Sequence, residues 1–283
     1  MTKIINDKEY EEVSSTAIVT SYPRIFTDIP YEKDIYEWLK NNCKEDVILN
    51  KRLATEIEAR YKLTNKLLDK SNIKQVLELA AGYISRGLIY SQKGYNYVEM
   101  DLEKVCKNKK EIIKSVEKNI PQTLQIVSGN ALRESDYLKC DQYFEDNKPV
   151  AVINEGLLRY LTFEEKRIVE KNIYSFLKKH GGIWITCDVT PKKFIQSQDS
   201  ALPDFNKNLD KVTSRNSLTD RFEDEEHIKQ FFGEVGLELV EIHPFSEVKE
   251  ELYSINTHNI FDENIDKSLE YGIVAIFKVK ENI

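Results

Sequence analysis

From Gln75 onward the chain is punctuated by seven short apolar runs: Gln75–Leu79, Tyr95–Met100, Thr123–Val127, Val150–Asn154, Gly182–Cys187, Leu237–His243 and Gly272–Val279. They are rich in Val, Ile and aromatic residues. Several are nearly continuous in their apolar character, as strands covered on both faces must be. Segments with helical spacing alternate with the first six runs, whereas no clear long helix separates the last two. The pattern predicts an α/β fold built on one open, mostly parallel seven-stranded sheet.

One helix is predicted in detail. Thr162 caps its start and Glu165, three places on, completes a capping box. Ile168, Val169, Ile173, Phe176 and Leu177 line one face. Lys178, Lys179 and His180 fill the last turn, where the helix dipole favours cations, and Gly181 is placed for a left-handed cap. Residues 1–70 stand outside the alternation. Helices over Ile29–Leu39 and Asn50–Asp69 make this region an N-terminal helical cap over the strand ends, followed by a domain from residue 71 to 283. Residues 190–221, with Pro191, Pro203 and many Ser, Asp and Asn, read as a long lid-like connection. Residues 246–270 read as a second polar insertion.

Composition narrows the picture. With 41% hydrophobic and 31% charged residues the chain can bury a full core and is not disordered in type. The net charge of −7, with Lys and Arg dispersed among acids, argues against broad nucleic-acid or anionic-membrane binding. Cys43, Cys106, Cys140 and Cys187 form no C-x-x-C pair, and the first ten residues are polar, so reduced thiols in a cytoplasmic protein are expected. No apolar run is long enough to span a membrane. No metal-ligand spacing occurs among His180, His227, His243 and His258.

The candidate chemistry lies at the strand ends. Val76-Leu77-Glu78-Leu79-Ala80-Ala81-Gly82 is a strand ending in small residues, and about twenty residues on Val98-Glu99-Met100-Asp101 is another ending in an acid. Small residues let a backbone approach a ligand, and an acid in the second position can accept both hydroxyls of a ribose. A plain βαβ unit, with Asp101 as a helix cap, would look the same. The first loop holds only Gly82 and Gly87, too few for the G-x-G-x-x-G pyrophosphate cradle of a dehydrogenase. Adenosine carrying an amino-acid tail, as in S-adenosylmethionine (SAM), suits the loop better than a dinucleotide.

The runs LELAAGYISRGL, YVEMDLEKV and INEGLLRYL, with EIEARYKLTNKLL and SSTAIVTSYPRIF upstream, resemble the leucine carboxyl methyltransferase family and its bacterial natural-product relatives over roughly residues 14–190. The resemblance implies a class I methyltransferase, Rossmann-like, with SAM as cofactor; the lack of metal-ligand spacing leads to the expectation of a metal-independent reaction. The resemblance also implies roles position by position. Gly82 with Ala80 and Ala81 lines the methionine portion of SAM, Glu78 belongs to the same cofactor-binding set, Asp101 binds the ribose, and Asn130, Ala131 and Leu132 lie against the adenine. Arg60, with Arg24 as a second candidate, pairs with the SAM carboxylate, and Glu155 contacts the amino group. Arg86 is given less weight, as a residue that positions the cap.

Methyl transfer from a sulfonium is an in-line displacement. An ionised carboxylate acceptor needs no base, whereas a phenol or alcohol does. Tyr160 and His243 are the candidate catalytic residues. The expected function is SAM-dependent O-methylation of a carboxylate or hydroxyl oxygen on a small-molecule or peptide acceptor. A catalytically weak SAM-binding partner protein and a protein C-terminal carboxyl methyltransferase are the alternatives.

Overall fold

A computed structural model of the chain describes residues 16–43, 50–194, 196 and 220–281. Its elements, in chain order, begin with α1 (Thr16–Val19), α2 (Ser21–Arg24), α3 (Glu32–Asn42), α4 (Leu53–Ser71), β1 (Gln75–Leu79), α5 (Arg86–Gln92) and β2 (Asn96–Asp101). There follow α6 (Glu103–Val116), β3 (Leu124–Ser128), α7 (Glu134–Asp141), β4 (Val150–Asn154), α8 (Phe163–His180) and β5 (Gly182–Thr186). The chain closes with α9 (Glu225–Gly233), β6 (Leu237–Pro244), α10 (Tyr253–Asn256), α11 (Glu263–Tyr271) and β7 (Ile273–Val279).

The seven strands form one sheet in the order β3-β2-β1-β4-β5-β7-β6. All neighbours are parallel except β7, which runs antiparallel to both β5 and β6. Successive side chains of each strand enter different cores. Val76, Tyr97, Ala151, Ile183 and Ile276 pack on one face of the sheet, and Leu77, Val98, Val152, Trp184 and Phe277 on the other. Both faces are therefore apolar, which is why the strands read as continuous hydrophobic runs.

α8 covers one face through Val169, Ile173, Phe176 and Leu177. Its capping box is complete: the Glu165 N–H donates to Thr162 Oγ1 and the Thr162 N–H to the Glu165 carboxylate. Gly181 differs from the expected left-handed cap. It adopts φ 71° and ψ −179°, a glycine-only conformation that turns the chain straight into β5.

The first predicted helix begins later than its hydrophobic pattern suggested, at Glu32, because Pro30 and a left-handed Tyr31 (φ 66°) precede it. α4 does two things. Leu63, Leu67 and Leu68 cover the sheet face opposite α8, while its first turns reach the strand ends. Residues 246–270, expected to be a polar insertion, instead form helical layers that bury Val248, Leu252, Ile260, Ile265 and Leu269. They are tied to α4: the Glu58 carboxylate accepts from the N–H groups of Tyr253 and Ser254, each at 2.8 Å, and Thr55 Oγ1 donates to the Ile260 carbonyl. Most of the 190–221 connection lies outside the described residues. Among the described residues no helix is long and apolar enough to cross a membrane.

Candidate functional site

The carboxyl ends of β1, β2 and β4 are level, since Leu79 pairs with both Met100 and Asn154. The loops that leave them open into a crevice of about 140 Å³. Open parallel sheets bind ligands at such an edge. Arg24, Arg60, Glu78, Ala80, Gly82, Asp101, Asn130, Ala131, Leu132 and Glu155 all line it, and so does Tyr160. Ala17, Val19 and Thr20 from the first helices and Leu53, Glu56 and Ile57 from α4 form the opposite wall.

Asp101 is held by two backbone donors. The Gly82 N–H donates to Oδ2 and the Leu102 N–H to Oδ1, each at 2.7 Å. Leu102, not Asp101, occupies the position before α6, and Asp101 makes no capping bond further into that helix. Burial pushes its carboxyl above the usual range, and the two N–H bonds partly offset this. Ala80 and Gly82 both take positive φ, 51° and 53°, and a side chain on Gly82 would point towards Ala17. A left-handed alanine is unfavourable, and it is the smallest non-glycine residue that can sit there. Gly87, the second glycine of the loop, plays a packing role: a Cβ there would fall 2.3 Å from Glu99 Oε1.

Glu78 and Glu155 share a cation. Arg86, fully buried, donates Nη1 to Glu78 and Nη2 to Glu155, while its Nε donates to Asn65 of α4 at 2.8 Å. Tyr97 donates to the other Glu78 oxygen at 2.8 Å. Glu155 also lies 3.7 Å from Arg60, which in turn is 3.9 Å from Glu56. Glu155 thus pairs with Arg86 and Arg60. Lys166 is spent on the carbonyls of Leu161 and Asp220. Arg24 pairs with Glu32 at 3.5 Å. The Asn130 side-chain oxygen accepts from the Leu132 N–H at 3.0 Å, shaping the turn after β3.

His243 is not brought to the crevice. It lies on β6 at the far edge of the sheet, between Glu241 and Glu247, 2.9 Å from each. Strand β6 is separated from β4 by β7 and β5, a distance that no pattern within the strand records.

Two residues escaped the sequence reading. Asp188, just past β5, accepts from Asn154 Nδ2 and from the N–H groups of Gly156, Leu157 and Leu158, all within 2.7–2.9 Å. It holds the loop that carries Glu155. Arg159 lines the crevice beside Tyr160. The position of Asp188 at a strand end was a signal; its four donors come from a different strand and its loop. Among the described residues no cluster of His, Cys, Asp or Glu is placed to hold a metal. The four cysteines form no disulfide, and burial raises the thiols of Cys106, Cys140 and Cys187.

A family model described as leucine carboxyl methyltransferase matches residues 26–173, more than half of the chain. No curated protein sequence matches. Several solved structures share the architecture. A DUF574 family protein from Streptomyces avermitilis aligns with a TM-score of 0.59 at 13% identity, over 94% of this chain and 97% of the other. Magnesium protoporphyrin IX methyltransferase from Synechocystis, with bound S-adenosylhomocysteine (SAH), aligns at 0.50 and 12%, over 96% and 97%. A glycopeptide N-methyltransferase complexed with sinefungin aligns at 0.50 and 11%, over 89% and 98%. These likenesses show a class I methyltransferase fold.

Proposed function

The chain belongs to the leucine carboxyl methyltransferase family, and from that premise we propose that it is a SAM-dependent O-methyltransferase acting on a carboxylate or hydroxyl oxygen of a small-molecule acceptor. The observation that carries this reading is the convergence of the Asp101 carboxylate, the Gly82 turn, Arg60 and Glu155 on one crevice.

The residues fit the cofactor. A carboxylate has about four acceptor positions, and backbone donors use two of those on Asp101, so two remain for adjacent ribose hydroxyls. Gly82 and Ala80 keep the crevice floor free of bulky side chains. Arg60 offers a guanidinium fork to a carboxylate, and Glu155 an acceptor to an ammonium group. When bound, SAM supplies a methyl group already activated by its sulfonium.

The remaining task of the protein is positioning, which contributes about 7–11 kcal/mol at best. Tyr160, Leu157 and Leu161 wall the crevice on the β4 side and can order an acceptor while excluding water. No histidine lines the crevice among the described residues, so a base for a hydroxyl acceptor would have to come from a carboxylate or from Tyr160, whereas an ionised carboxylate acceptor needs none.

Calorimetric titration with SAH tests the cofactor assignment, and turnover of methyl-labelled SAM with matched carboxylates and phenols tests the reaction. Saturable SAH binding with label transferred to an oxygen is the expected outcome. SAH binding without transfer to any acceptor would instead identify a SAM-binding partner protein, and absence of binding would end the proposal.

A further inference from the structure

Asn154 closes β4, is fully buried and stands directly before Glu155. Both ends of its amide are engaged. Its Oδ1 accepts from Trp184 Nε1 at 2.7 Å, and its Nδ2 donates to Asp188 Oδ2 at 2.7 Å. Trp184 is itself fully buried, with the rings of Phe232 and Phe277 each 5.3 Å away. An indole N–H only donates and a carboxylate only accepts, so these neighbours fix which end of the amide points where. Aspartate at position 154 would lack the donor, and leucine would lack both groups. Polar groups this deep in an apolar core are costly unless paired, and here all of them are paired.

The pairing bears on Glu155 from both sides. Asp188 accepts from the Asn154 amide before it and from the N–H groups of Gly156, Leu157 and Leu158 after it. Between those holds Gly156, at φ 74°, turns the chain sharply. The Glu155 backbone is thereby clamped independently of the Arg86 and Arg60 contacts that its carboxylate makes. A recognition group that need not be ordered on binding keeps more of its interaction energy as affinity. Asn154 does not line the crevice, so its effect on a ligand passes through Glu155.

We infer that Asn154 is a positioning residue of the cofactor site: its amide, held between Trp184 and Asp188, fixes the place from which Glu155 meets the ammonium group of the ligand. Selectivity for an amino-acid tail then depends on a side chain hidden behind the site and oriented by an indole on the next strand. This inference rests on the methyltransferase reading above.

The test uses the full chain and two ligands, SAH and its deamino analogue, in which hydrogen replaces the amino group. Wild-type protein should bind SAH about tenfold more tightly than the analogue. In Asn154→Ala that preference should fall to about threefold or less, while affinity for the analogue stays within about twofold of wild type. The retained affinity shows that the variant folds. Glu155→Gln should also lose the preference, and adding Asn154→Ala to it should lower the preference no further, as residues acting through one contact require. Equal weakening of both ligands by Asn154→Ala, a preference that survives in it, or a further loss in the double variant overturns the inference. So does wild-type protein that binds SAH without preferring it. A second measurement needs no substitution at position 154. The chain has two tryptophans, and the indole N–H resonance of Trp184, identified with Trp38→Phe, should move further on adding SAH than on adding the analogue. Equal displacement overturns the inference even where Asn154→Ala does not fold. Failure of wild-type protein to bind SAH at all would fall on the methyltransferase reading instead.

Discussion

The Asp101 carboxylate accepts a 2.7 Å hydrogen bond from the backbone N–H of Gly82, so the acid at the end of β2 is locked to the turn that follows β1. The bond crosses between adjacent strands at the sheet edge and orients one carboxylate oxygen by main chain. Because main chain sets the geometry, a change of side chain at position 101 should alter ligand binding more than architecture.

Replacing Asp101 with Asn halves the acceptor capacity toward a ribose. A hydrogen bond to a charged group contributes roughly 1.5–3 kcal/mol, so SAH affinity should fall roughly 10- to 100-fold. Calorimetry measures the loss, and circular dichroism should show the fold retained. Unaltered SAH affinity in Asp101→Asn would remove the residue from the site.

The same carboxyl predicts a pH dependence. Its pKa is raised by burial, and only the ionised form accepts two hydroxyls. Protons therefore compete with the ligand. SAH affinity should decline as pH falls through that raised pKa, approaching about tenfold per pH unit below it. In Asp101→Asn that slope should be absent.

Arg86 neutralises Glu78 and Glu155 in a buried setting. Removing one member of a buried ion network leaves uncompensated charge, at about 3–5 kcal/mol. Arg86→Met should lower the denaturant midpoint accordingly, and adding Glu78→Gln should recover part of the loss. Additive destabilisation in the double variant would show that the two residues do not act as a pair.

Asp188→Asn tests the loop that carries Glu155. An amide cannot accept from all four donors around Asp188, so some become unsatisfied, each at about 1–3 kcal/mol. The variant should be less stable and should bind SAH more weakly, since Glu155 loses its fixed loop. Hydrogen exchange at Gly156–Leu158 should quicken while β1 and β2 stay protected.

Glu170, buried on α8, has its carboxyl raised to about 8 from 4.5, by burial against the opposing pull of Arg167. The native state then holds a proton that the unfolded chain has released, so this group's stability contribution is present below pH 4.5 and is lost as pH rises through 8. Glu170→Gln should be more stable than wild type at pH 8, on the order of 1–3 kcal/mol, and the gap should close toward pH 4.5. Thermal melts across that range measure it.

Much of this architecture is legible in residue order because it is periodic. Val76, Leu77, Val98, Val152 and Trp184 alternate between two apolar cores, and Thr162 with Glu165 closes a capping box within a single turn. Gly82, Asp101 and Glu155 were legible for a related reason: in a parallel sheet every carboxyl end opens on the same edge, so one topological rule gathers them, whereas Asn130, Ala131 and Leu132 were named through the family resemblance. The 246–270 segment was misread because its apolar residues are sparse and meet α4, a helix some 200 residues earlier.

The chain alone therefore yields the sheet, its covering helices and the acids and small residues at the carboxyl edge of the strands, since each depends on local period or chain direction. Only the folded molecule excludes His243 from the crevice, joins Glu78 to Glu155 through Arg86 and ties Asp188 to four donors. Those outcomes depend on which distant groups come within about 3 Å, where charge pairing and hydrogen bonding act. No spacing along the backbone encodes that distance.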